Sequence, residues 1–142
     1  MGRLDLLPDT GRALDVACGT GGVAVWLAAR GLSVDAVDVS PVALAAGAAA
    51  SSAVRWHLAD LDDGLPVTGP YDVVVCQRFW DPRLALVPLL GPGGLLVMTV
   101  LTQGAYGAPA GALLEVCAGL LVLHHEHGDR EASVVARRFS AL

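Results

Sequence analysis

The sequence contains no lysine, and charged residues of any kind make up only 16% of its 142 positions. The formal net charge is −5, and the nine basic residues are arginines scattered along the chain, with one adjacent pair at Arg137 and Arg138. A nucleic-acid-binding protein usually carries a basic stripe or patch. We therefore expect neither nucleic acid nor an anionic membrane surface as a partner.

Cysteine is scarce as well. Cys18, Cys76 and Cys117 are odd in number and unrelated in spacing, so they do not form a disulfide framework. Free thiols are typical of a reducing compartment, and the N-terminus, with acidic Asp5 and Asp9, does not resemble a signal peptide. We expect a cytoplasmic protein.

No apolar run is long enough and regular enough to cross a membrane. The uncharged stretch 84–101 is interrupted by Pro88 and by the segment Gly91–Gly94, which a single spanning helix would not favour. This stretch instead predicts a short helix, a tight turn and a buried strand.

The chain does have abundant apolar residues (54%) and 17 glycines, which favour a single packed domain over residues 1–142. Apolar runs and helix-forming segments alternate along it, and Ser40–Pro41 and Asp81–Pro82 each mark a helix start. This alternation predicts an α/β fold, a doubly wound and mostly parallel seven-stranded sheet closed by an antiparallel C-terminal pair that turns at Gly128–Asp129. The predicted strands are Arg12–Cys18, Ser33–Asp38, Val54–Asp60, Tyr71–Gln77, Gly93–Leu101, Leu120–His127 and Glu131–Phe139, and the predicted helices are Gly22–Arg30, Pro41–Ser51, one from Asp81, and Pro109–Ala118.

The first strand-to-helix turn is rich in glycine, and the helix that follows offers free N–H groups to an anion. Gly19, Gly21 and Ala24 formally satisfy the dinucleotide-binding pattern, and Asp38 follows at the position of a ribose-binding acid. Asp15, however, lies before the turn, where its carboxylate would repel a pyrophosphate and attract a sulfonium or ammonium group. The residues alone leave an NAD(P)-binding oxidoreductase open beside a protein that binds a cationic ligand.

The segments LDVACGTGGVAVWLAARG and VDAVDVSPVAL resemble the cofactor site of class I S-adenosylmethionine-dependent methyltransferases. The later segments HLADLDDGLP, YDVVVCQRF and LGPGGLLVMTV agree, and small methyltransferases of the tellurite-resistance type are the most similar subfamily. The resemblance implies a Rossmann-like methyltransferase fold with S-adenosylmethionine as the cofactor. About eleven residues precede the first strand, so we expect the N-terminal cap helices of many relatives to be missing.

The resemblance also implies a role for individual residues in holding the cofactor. Asp15 and the turn would hold its methionine part, Asp38 would accept hydrogen bonds from both ribose hydroxyls, and Val39 would pack on the adenine. Asp60 and the backbone N–H of Leu61 would contact the adenine edge. Capping of the next helix is the alternative role for Asp38, and a solvated loop acid is the alternative for Asp60. The turn residues so implied are Ala17, Cys18, Gly19, Thr20 and Gly21.

At the end of the fourth strand, Cys76, Gln77 and Arg78 would lie beside the transferred methyl group and the substrate. Methyl transfer from a sulfonium is an in-line displacement that needs alignment more than acid–base help. The candidates for a catalytic role are Gln77, Arg78 and Asp81, and Trp80 is a candidate for lining the acceptor pocket.

Two departures from the family affect the turn and the pocket. The family often has glycine where this chain has Ala17, so we expect the turn to avoid a positive φ there. The second departure is the short segment before the first strand, which lacks the cap helices of many relatives. The pocket is therefore expected to be open, or capped by a second subunit in a homodimer, or capped by the loop 102–110.

Other polar residues receive no catalytic role. His57 lies inside a strand and is expected to be structural, and Trp26 is expected to pack in the core or on its helix. On a terminal strand, His125 and His127 would share one face, with His124 and Glu126 on the other, and we expect no metal site there. Neither Cys18 nor Cys76 has a basic partner, so nucleophilic catalysis is not expected.

The sequence thus predicts S-adenosylmethionine-dependent methyl transfer to a small-molecule acceptor. The alternatives are an NAD(P)-binding Rossmann oxidoreductase and a catalytically inactive module that binds S-adenosylmethionine. The short N-terminus and the absence of a clear base favour the inactive module modestly.

Overall fold

The computed structural model describes residues 4–105 and 107–140, and its centre is a seven-stranded sheet. The strand order is β3-β2-β1-β4-β5-β7-β6; β1 to β5 run parallel, and β7 is antiparallel to both β5 and β6. This confirms the predicted fold. The strands are β1 (Arg12–Val16), β2 (Ser33–Asp38), β3 (Arg55–Leu58), β4 (Tyr71–Gln77), β5 (Leu90–Leu101), β6 (Leu121–His127) and β7 (Glu131–Arg137), and the helices are α1 (Gly22–Arg30), α2 (Pro41–Ala50) and α3 (Ala112–Val116).

Strand alternation divides the core into two apolar layers, one on each side of the sheet. The layer on the α1 side contains Ala13 from β1 and the buried α1 residues Ala24 and Leu27. The opposite layer contains Leu14 from β1 and the buried α3 residue Leu113. We call the two sides of the sheet the α1 face and the α3 face.

The first two helices begin and end as their sequences predict. Ser40 caps α2, with its Oγ accepting a hydrogen bond from the Ala43 N–H at 3.1 Å, and Pro41 occupies the first turn. Gly31 ends α1 with φ 119°, a conformation that glycine adopts without strain.

The helix predicted from Asp81 is wrong. The Asp81 carboxylate accepts a hydrogen bond from the Arg83 backbone N–H at 2.9 Å, as a helix N-cap does. The chain nevertheless forms only a local turn, in which the Leu84 N–H donates to the Asp81 carbonyl at 3.1 Å. Farther on, a single 3₁₀ turn spans Val87–Leu89, because Pro88 has no N–H with which to continue a helix.

Several boundaries also differ from prediction. The strand β1 ends at Val16, β3 is limited to Arg55–Leu58, β5 already begins at Leu90, and β7 ends at Arg137. Helix α3 has five residues and follows Gly111, whose φ is 80°. Local patterns mark where an element lies more reliably than where it ends.

No helix within the described ranges is long and apolar enough to cross a membrane, and the longest has ten residues. The uncharged stretch 84–101 forms the 3₁₀ turn and β5.

A buried ionic network ties β2, β3 and β4 together on the α3 face. Asp35 is 4% exposed and its carboxylate accepts hydrogen bonds from Arg55 Nε at 2.7 Å and Tyr71 Oη at 2.8 Å, while His57 Nε2 lies at 3.0 Å. Burial alone would raise the pKa of Asp35, but these three hydrogen bonds outweigh it and hold the pKa well below 3.8. The structural role predicted for His57 is confirmed.

The core position considered for Trp26 is wrong. Its side chain is 39% exposed on the surface of α1. The Arg30 guanidinium lies 5.5 Å above the indole ring. Trp26 therefore packs on its own helix, which was the second of the two positions expected from the sequence.

Candidate functional site

The turn from β1 into α1 lies at the carboxyl end of the sheet and is held by backbone hydrogen bonds. The Cys18 N–H donates to the Val37 carbonyl on β2, and the Gly21 N–H donates to the Cys18 carbonyl, both at 3.0 Å. A Cβ at Gly19 would have no atom within 4 Å. The turn therefore presents open backbone beside the N-terminus of α1, which is an arrangement that receives anionic groups.

The prediction that Ala17 avoids a positive φ is wrong, because its φ is 56°. Ala17 lies where the chain leaves β1 and must place the next N–H against Val37, so the tight turn imposes the left-handed conformation. That conformation costs an L-residue roughly 1–2 kcal/mol. The strain lies at the predicted cofactor turn.

Asp15 is the most unusual charged group near the turn. Its side chain points to the α1 face, the residue is 3% exposed, and its Oδ2 is a buried oxygen without a hydrogen-bond partner in the described chain. Burial raises the pKa of Asp15 to about 7, against a hydrogen bond from the Ala24 backbone N–H that lowers it, and nearby Asp38 raises it further. An unsatisfied buried carboxylate calls for a cationic or hydrogen-bond-donating partner.

Asp38 connects the turn to the second helix. Its Oδ1 accepts a hydrogen bond from the Gly19 N–H at 3.2 Å, and its Oδ2 accepts one from the Ser40 N–H at 3.0 Å. The N-cap itself is Ser40. Asp38 thus supports both the glycine turn and the helix start, and its carboxylate lies at the end of β2 as predicted.

The residues predicted to contact adenine lie at the neighbouring strand ends. The Ala59 N–H donates to the Asp38 carbonyl at 3.0 Å, which places the end of β3 beside the end of β2. Asp60 is exposed and caps a 3₁₀ turn through its contact with the Asp62 N–H at 2.9 Å. Val39 is 63% exposed. All of these groups share one edge of the sheet with the turn.

A cleft of about 680 Å³ opens beside the turn and continues over β5, β7 and β6. Its walls contain polar and apolar groups in similar amounts, and they combine the β1–α1 turn with the C-terminal hairpin. The lining residues are Asp15, Ala17, Cys18, Gly19, Val23, Gln77, Arg78, Thr99, His124, Glu126, Gly128, Glu131, Ala132 and Ser133.

The residues at the end of β4 divide between two cavities. Gln77 and Arg78 line the cleft. Cys76, Trp80 and Asp81 instead line a smaller apolar pocket of about 250 Å³, to which buried Cys76 contributes from the α3-side layer. The structure therefore separates residues that the sequence placed together beside one methyl group.

Arg78 is held in a strained conformation. Its φ is 56°, and its backbone N–H donates to both the carbonyl and the Oγ1 of Thr99, at 2.8 and 2.9 Å. Its guanidinium pairs with Glu131 at 3.4 Å. Such strain at the rim of a cleft is typical of functional sites.

Nucleophilic and basic catalysis by the remaining candidates is unfavourable. Burial, and then the charge of Asp15, raise the pKa values of Cys18 and Cys76 to about 12, so both thiols stay protonated at neutral pH. Hydrogen bonds from Arg83 hold the pKa of Asp81 below its usual value, which makes this carboxylate a weak base. The raised pKa values agree with the expectation of no cysteine nucleophile, which stays a prediction.

The histidine-rich strand presents its side chains as predicted. His124 and Glu126 line the cleft, with His124 Nε2 3.4 Å from Glu126 Oε1. His125 and His127 line a separate pocket of about 220 Å³. Among residues 4–105 and 107–140, no group of three or more potential metal ligands comes together.

The loop 102–110 is fastened to the β6–β7 hairpin. Thr102 Oγ1 and Gln103 Nε2 both donate to the Asp129 carbonyl, at 2.8 and 2.7 Å. Tyr106 lies outside the described residues, and the described part of the loop contributes no lining residue to the cleft. Capping of the cleft by this loop stays a prediction.

Sequence reasoning missed two parts of the site. It did not find that Trp56 of β3 packs against the glycine turn, nor that polar residues of β5, β6 and β7 continue the cleft. Both depend on contacts between residues distant in sequence. The small residues Gly21 and Gly47 were the available signal, since each leaves room for a large neighbour.

Residues 13–93, more than half of the chain, match the family described as a methyltransferase domain. A ubiquinone biosynthesis O-methyltransferase of Xanthomonas oryzae is 34% identical over 113 residues, which cover 71% of this chain and 46% of that protein. A ribosomal RNA small subunit methyltransferase C of Alcanivorax borkumensis is 33% identical over 100 residues, with 61% and 31% covered. The chain thus spans less than half the length of these relatives.

Solved structures share the fold at low sequence identity. A TehB-like S-adenosylmethionine-dependent methyltransferase from Corynebacterium glutamicum has a TM-score of 0.78 and 22% identity, covering 94% of this chain and 83% of that one. TehB from Haemophilus influenzae has a TM-score of 0.79 and 16% identity, covering 91% and 58%. Together with the family match, the sheet order and the glycine turn followed by Asp38, this shows that the chain belongs to the class I S-adenosylmethionine-dependent methyltransferase family.

Proposed function

We propose that this chain binds S-adenosylmethionine at the β1–α1 turn and transfers its methyl group to a small-molecule acceptor. The observation that carries the proposal is Asp15, a carboxylate that is 3% exposed, lines the cleft and has an oxygen with no partner in the described chain. A ligand with a positive charge satisfies it, whereas a pyrophosphate would be repelled.

The residues present fit the cofactor that the family implies. The turn leaves open space at Gly19, and Asp38 already contacts the Gly19 N–H, so the cofactor's amino acid and ribose parts have matching groups close together. When bound, S-adenosylmethionine supplies an electrophilic methyl group on a sulfonium. Displacement at that methyl group needs alignment more than a base.

Each residue of the site has a distinct task in this proposal. Asp15 compensates positive charge, and the backbone of the turn, Cys18 and Gly19 in particular, receives the amino acid part. The Asp38 carboxylate accepts hydrogen bonds from the ribose hydroxyls in place of those it accepts from the Gly19 and Ser40 N–H groups in the ligand-free protein. Asp60, Val39 and the Leu61 N–H hold the base.

A small molecule is the acceptor best supported by the chain's charge. One relative is named for ubiquinone biosynthesis and another for ribosomal RNA, but a net charge of −5 without lysine disfavours an RNA substrate. The three free cysteines support a cytoplasmic location. A homodimer stays a prediction.

Calorimetric titration with S-adenosylhomocysteine, in parallel with NADH, tests the cofactor. We expect S-adenosylhomocysteine to bind and NADH to fail, and Asp38→Asn to weaken binding by about tenfold through loss of a charged hydrogen-bond acceptor. Thr68→Val, an exposed change in the connection between β3 and β4, is the control. Selective NADH binding would overturn the proposal.

The fold also supports other chemistry. A [4+2]-cyclase shares it with a TM-score of 0.73 and 20% identity, covering 96% of this chain and 77% of that one, so the fold by itself does not establish methyl transfer. Methylation of any acceptor in a panel, lost in Asp38→Asn, distinguishes an active enzyme from an inactive binding module.

A further inference from the structure

The floor of the cleft is a straight row of polar side chains across four strands. Gln77 of β4 is in register with Thr99 of β5, Thr99 with Ser133 of β7, and Ser133 with Glu126 of β6. All four residues line the cleft. Since neighbouring strands lie about 4.8 Å apart, the row extends about 14 Å from Gln77 to Glu126. We call these four residues the polar row.

The polar row marks an abrupt change on the α1 face of the sheet. The next positions toward the core on β4, β5 and β7 are Val75, Val97 and Val135, all buried in the α1-side layer. The polarity therefore begins where the cleft begins, rather than following the strands throughout their length.

Several hydrogen-bonding groups of the row are free to meet a ligand. Within the part of the chain that the structure describes, the Gln77 amide and the Ser133 hydroxyl have no protein partner. Thr99 Oγ1 accepts from the Arg78 N–H at 2.9 Å, which leaves its O–H to donate. The row thus offers both donors and acceptors at regular intervals.

Carboxylates outnumber guanidinium groups among the residues that line the cleft around the row. Glu131 pairs with Arg78 at 3.4 Å, and Glu126 lies 3.4 Å from His124. The two glutamates disfavour a phosphorylated ligand, and among the described residues that line the cleft, His124 has the only aromatic ring. A neutral ligand rich in hydroxyl groups matches this surface best.

The row begins next to the cofactor turn. Val16 of β1 is in register with Cys76 of β4, so the following residues, Ala17 and Gln77, are neighbours at the carboxyl edge. A molecule lying along the row has one end beside the turn and the other toward β6.

We infer that the polar row is the acceptor subsite and that it binds a neutral, hydroxyl-rich molecule such as a sugar or a polyol, one hydroxyl of which receives the methyl group. In the transfer, the hydroxyl oxygen forms the bond to the methyl carbon as the carbon–sulfur bond breaks, the sulfonium becomes a neutral thioether, and the hydroxyl proton leaves to solvent. The inference rests on the proposed function. A hydroxyl-rich acceptor differs in chemistry from the aromatic acceptor that the apolar pocket at Phe79 and Trp80 would take.

Saturation-transfer NMR with glucose, myo-inositol and catechol as probes tests the inference, on the protein with and without S-adenosylhomocysteine. We expect signals from glucose or inositol, and about tenfold weaker binding in Ser133→Val, where one hydrogen bond is lost. Glu126→Gln is a second variant that keeps the side chain's shape. Ser33→Val, an exposed strand serine at the amino end of β2, is the matched control.

Three outcomes overturn the inference: no signal from either polyol, polyol binding that is unchanged in both row variants, or catechol as the sole bound probe. S-adenosylhomocysteine affinity, measured by calorimetry in the same variants, should stay at the wild-type value. Failure of S-adenosylhomocysteine to bind the wild-type protein would contradict the proposed function instead. The polyol signals recorded in the absence of S-adenosylhomocysteine test the polar row independently of that result.

Discussion

At the scale of single residues, the site combines backbone strain with a buried charge. Ala17 and Arg78 both have a φ of 56°, and Asp15 is buried with an unpaired oxygen. Each feature costs folding free energy, and all three line the same cleft. This concentration of unfavourable features is characteristic of positions shaped by ligand binding.

Replacing Ala17 by glycine should stabilise the protein. The left-handed conformation costs alanine roughly 1–2 kcal/mol, while glycine adds about 0.4–1 kcal/mol of unfolded-state entropy, so Ala17→Gly should raise the free energy of unfolding by about 0.5–1 kcal/mol. Urea denaturation measures the change. Ala29→Gly on the exposed side of α1 is the control and should lower stability by a similar amount. A destabilised Ala17→Gly variant would show that strain at this turn is absent.

The residues of the site were partly accessible from sequence. Asp15, Asp38 and the glycine turn are contiguous with strands whose apolar pattern is clear, so their position at the carboxyl edge follows from local order. The φ of Ala17 did not follow, because the contact from Cys18 to Val37 that imposes it joins residues far apart in sequence.

At the scale of elements, Trp56 fastens β3 to both the turn and α2. A Cβ at Gly47 would lie 2.5 Å from the Trp56 ring and 3.0 Å from the Thr20 carbonyl, and a Cβ at Gly21 would also meet the ring. The indole Nε1 donates to the Ser51 carbonyl at 3.1 Å. The Trp56 ring thus occupies the space left by the missing side chains of Gly21 and Gly47, and it packs against the β1–α1 turn.

Substituting Gly47 by alanine should therefore destabilise the protein, although alanine is the better helix former by about 1 kcal/mol. Overpacking against Trp56 costs about 1–3 kcal/mol, so the net loss should be about 1 kcal/mol, and displacement of Thr20 should weaken S-adenosylhomocysteine binding. Thermal unfolding and calorimetry measure the two effects. Gly22→Ala, where a Cβ would have open space, is the control for stability. A Gly47→Ala variant at or above wild-type stability would argue against the packing role of Trp56.

Elements with a strong local pattern were predictable, whereas their lateral order was not. The Val-rich run of β4 and the capped start of α2 carry their own signals. The failed helix from Asp81 shows that the same dipeptide signal gives a turn when a proline follows before the helix can extend. The polar row became visible only through the register of β4, β5, β7 and β6, which no single segment specifies.

At the scale of the whole molecule, two buried aspartates make stability depend on pH in opposite directions. Asp35 has a lowered pKa in the folded state, so its contribution is present above 3.8 and is lost as the pH falls below that value. Asp15 has a pKa raised from 3.8 to about 7, so its contribution is present below 3.8 and is lost as the pH rises through 7. The ligand-free protein should accordingly be most stable near pH 4, because the Asp35 contribution falls below this pH and the Asp15 contribution falls above it.

Affinity for the cofactor should be highest at a higher pH than the one at which the ligand-free protein is most stable. The α-ammonium group of S-adenosylhomocysteine would be attracted to the ionised form of Asp15, so the affinity for this ligand should increase as the pH rises through about 7. Because a ligand stabilises the state that binds it, saturating S-adenosylhomocysteine should move the pH of highest melting temperature upward. Melting temperatures from about pH 4 to about pH 9, with and without the ligand, measure the shift.

Asp15→Asn separates the two effects. The substitution removes the titrating group while keeping the shape of the side chain. The free energy of unfolding of the ligand-free variant should therefore fall less than that of the wild type as the pH rises above 5. The difference should reach up to about 4 kcal/mol, which corresponds to the full change in the pKa of Asp15. The same variant should bind S-adenosylhomocysteine more weakly at pH 8, with an affinity that changes little with pH. If the wild type and Asp15→Asn gave parallel pH profiles, the buried carboxylate would have no part in either folding stability or cofactor binding. A stabilised variant with weakened binding would show that the fold retains an unfavourable charge because the ligand requires it.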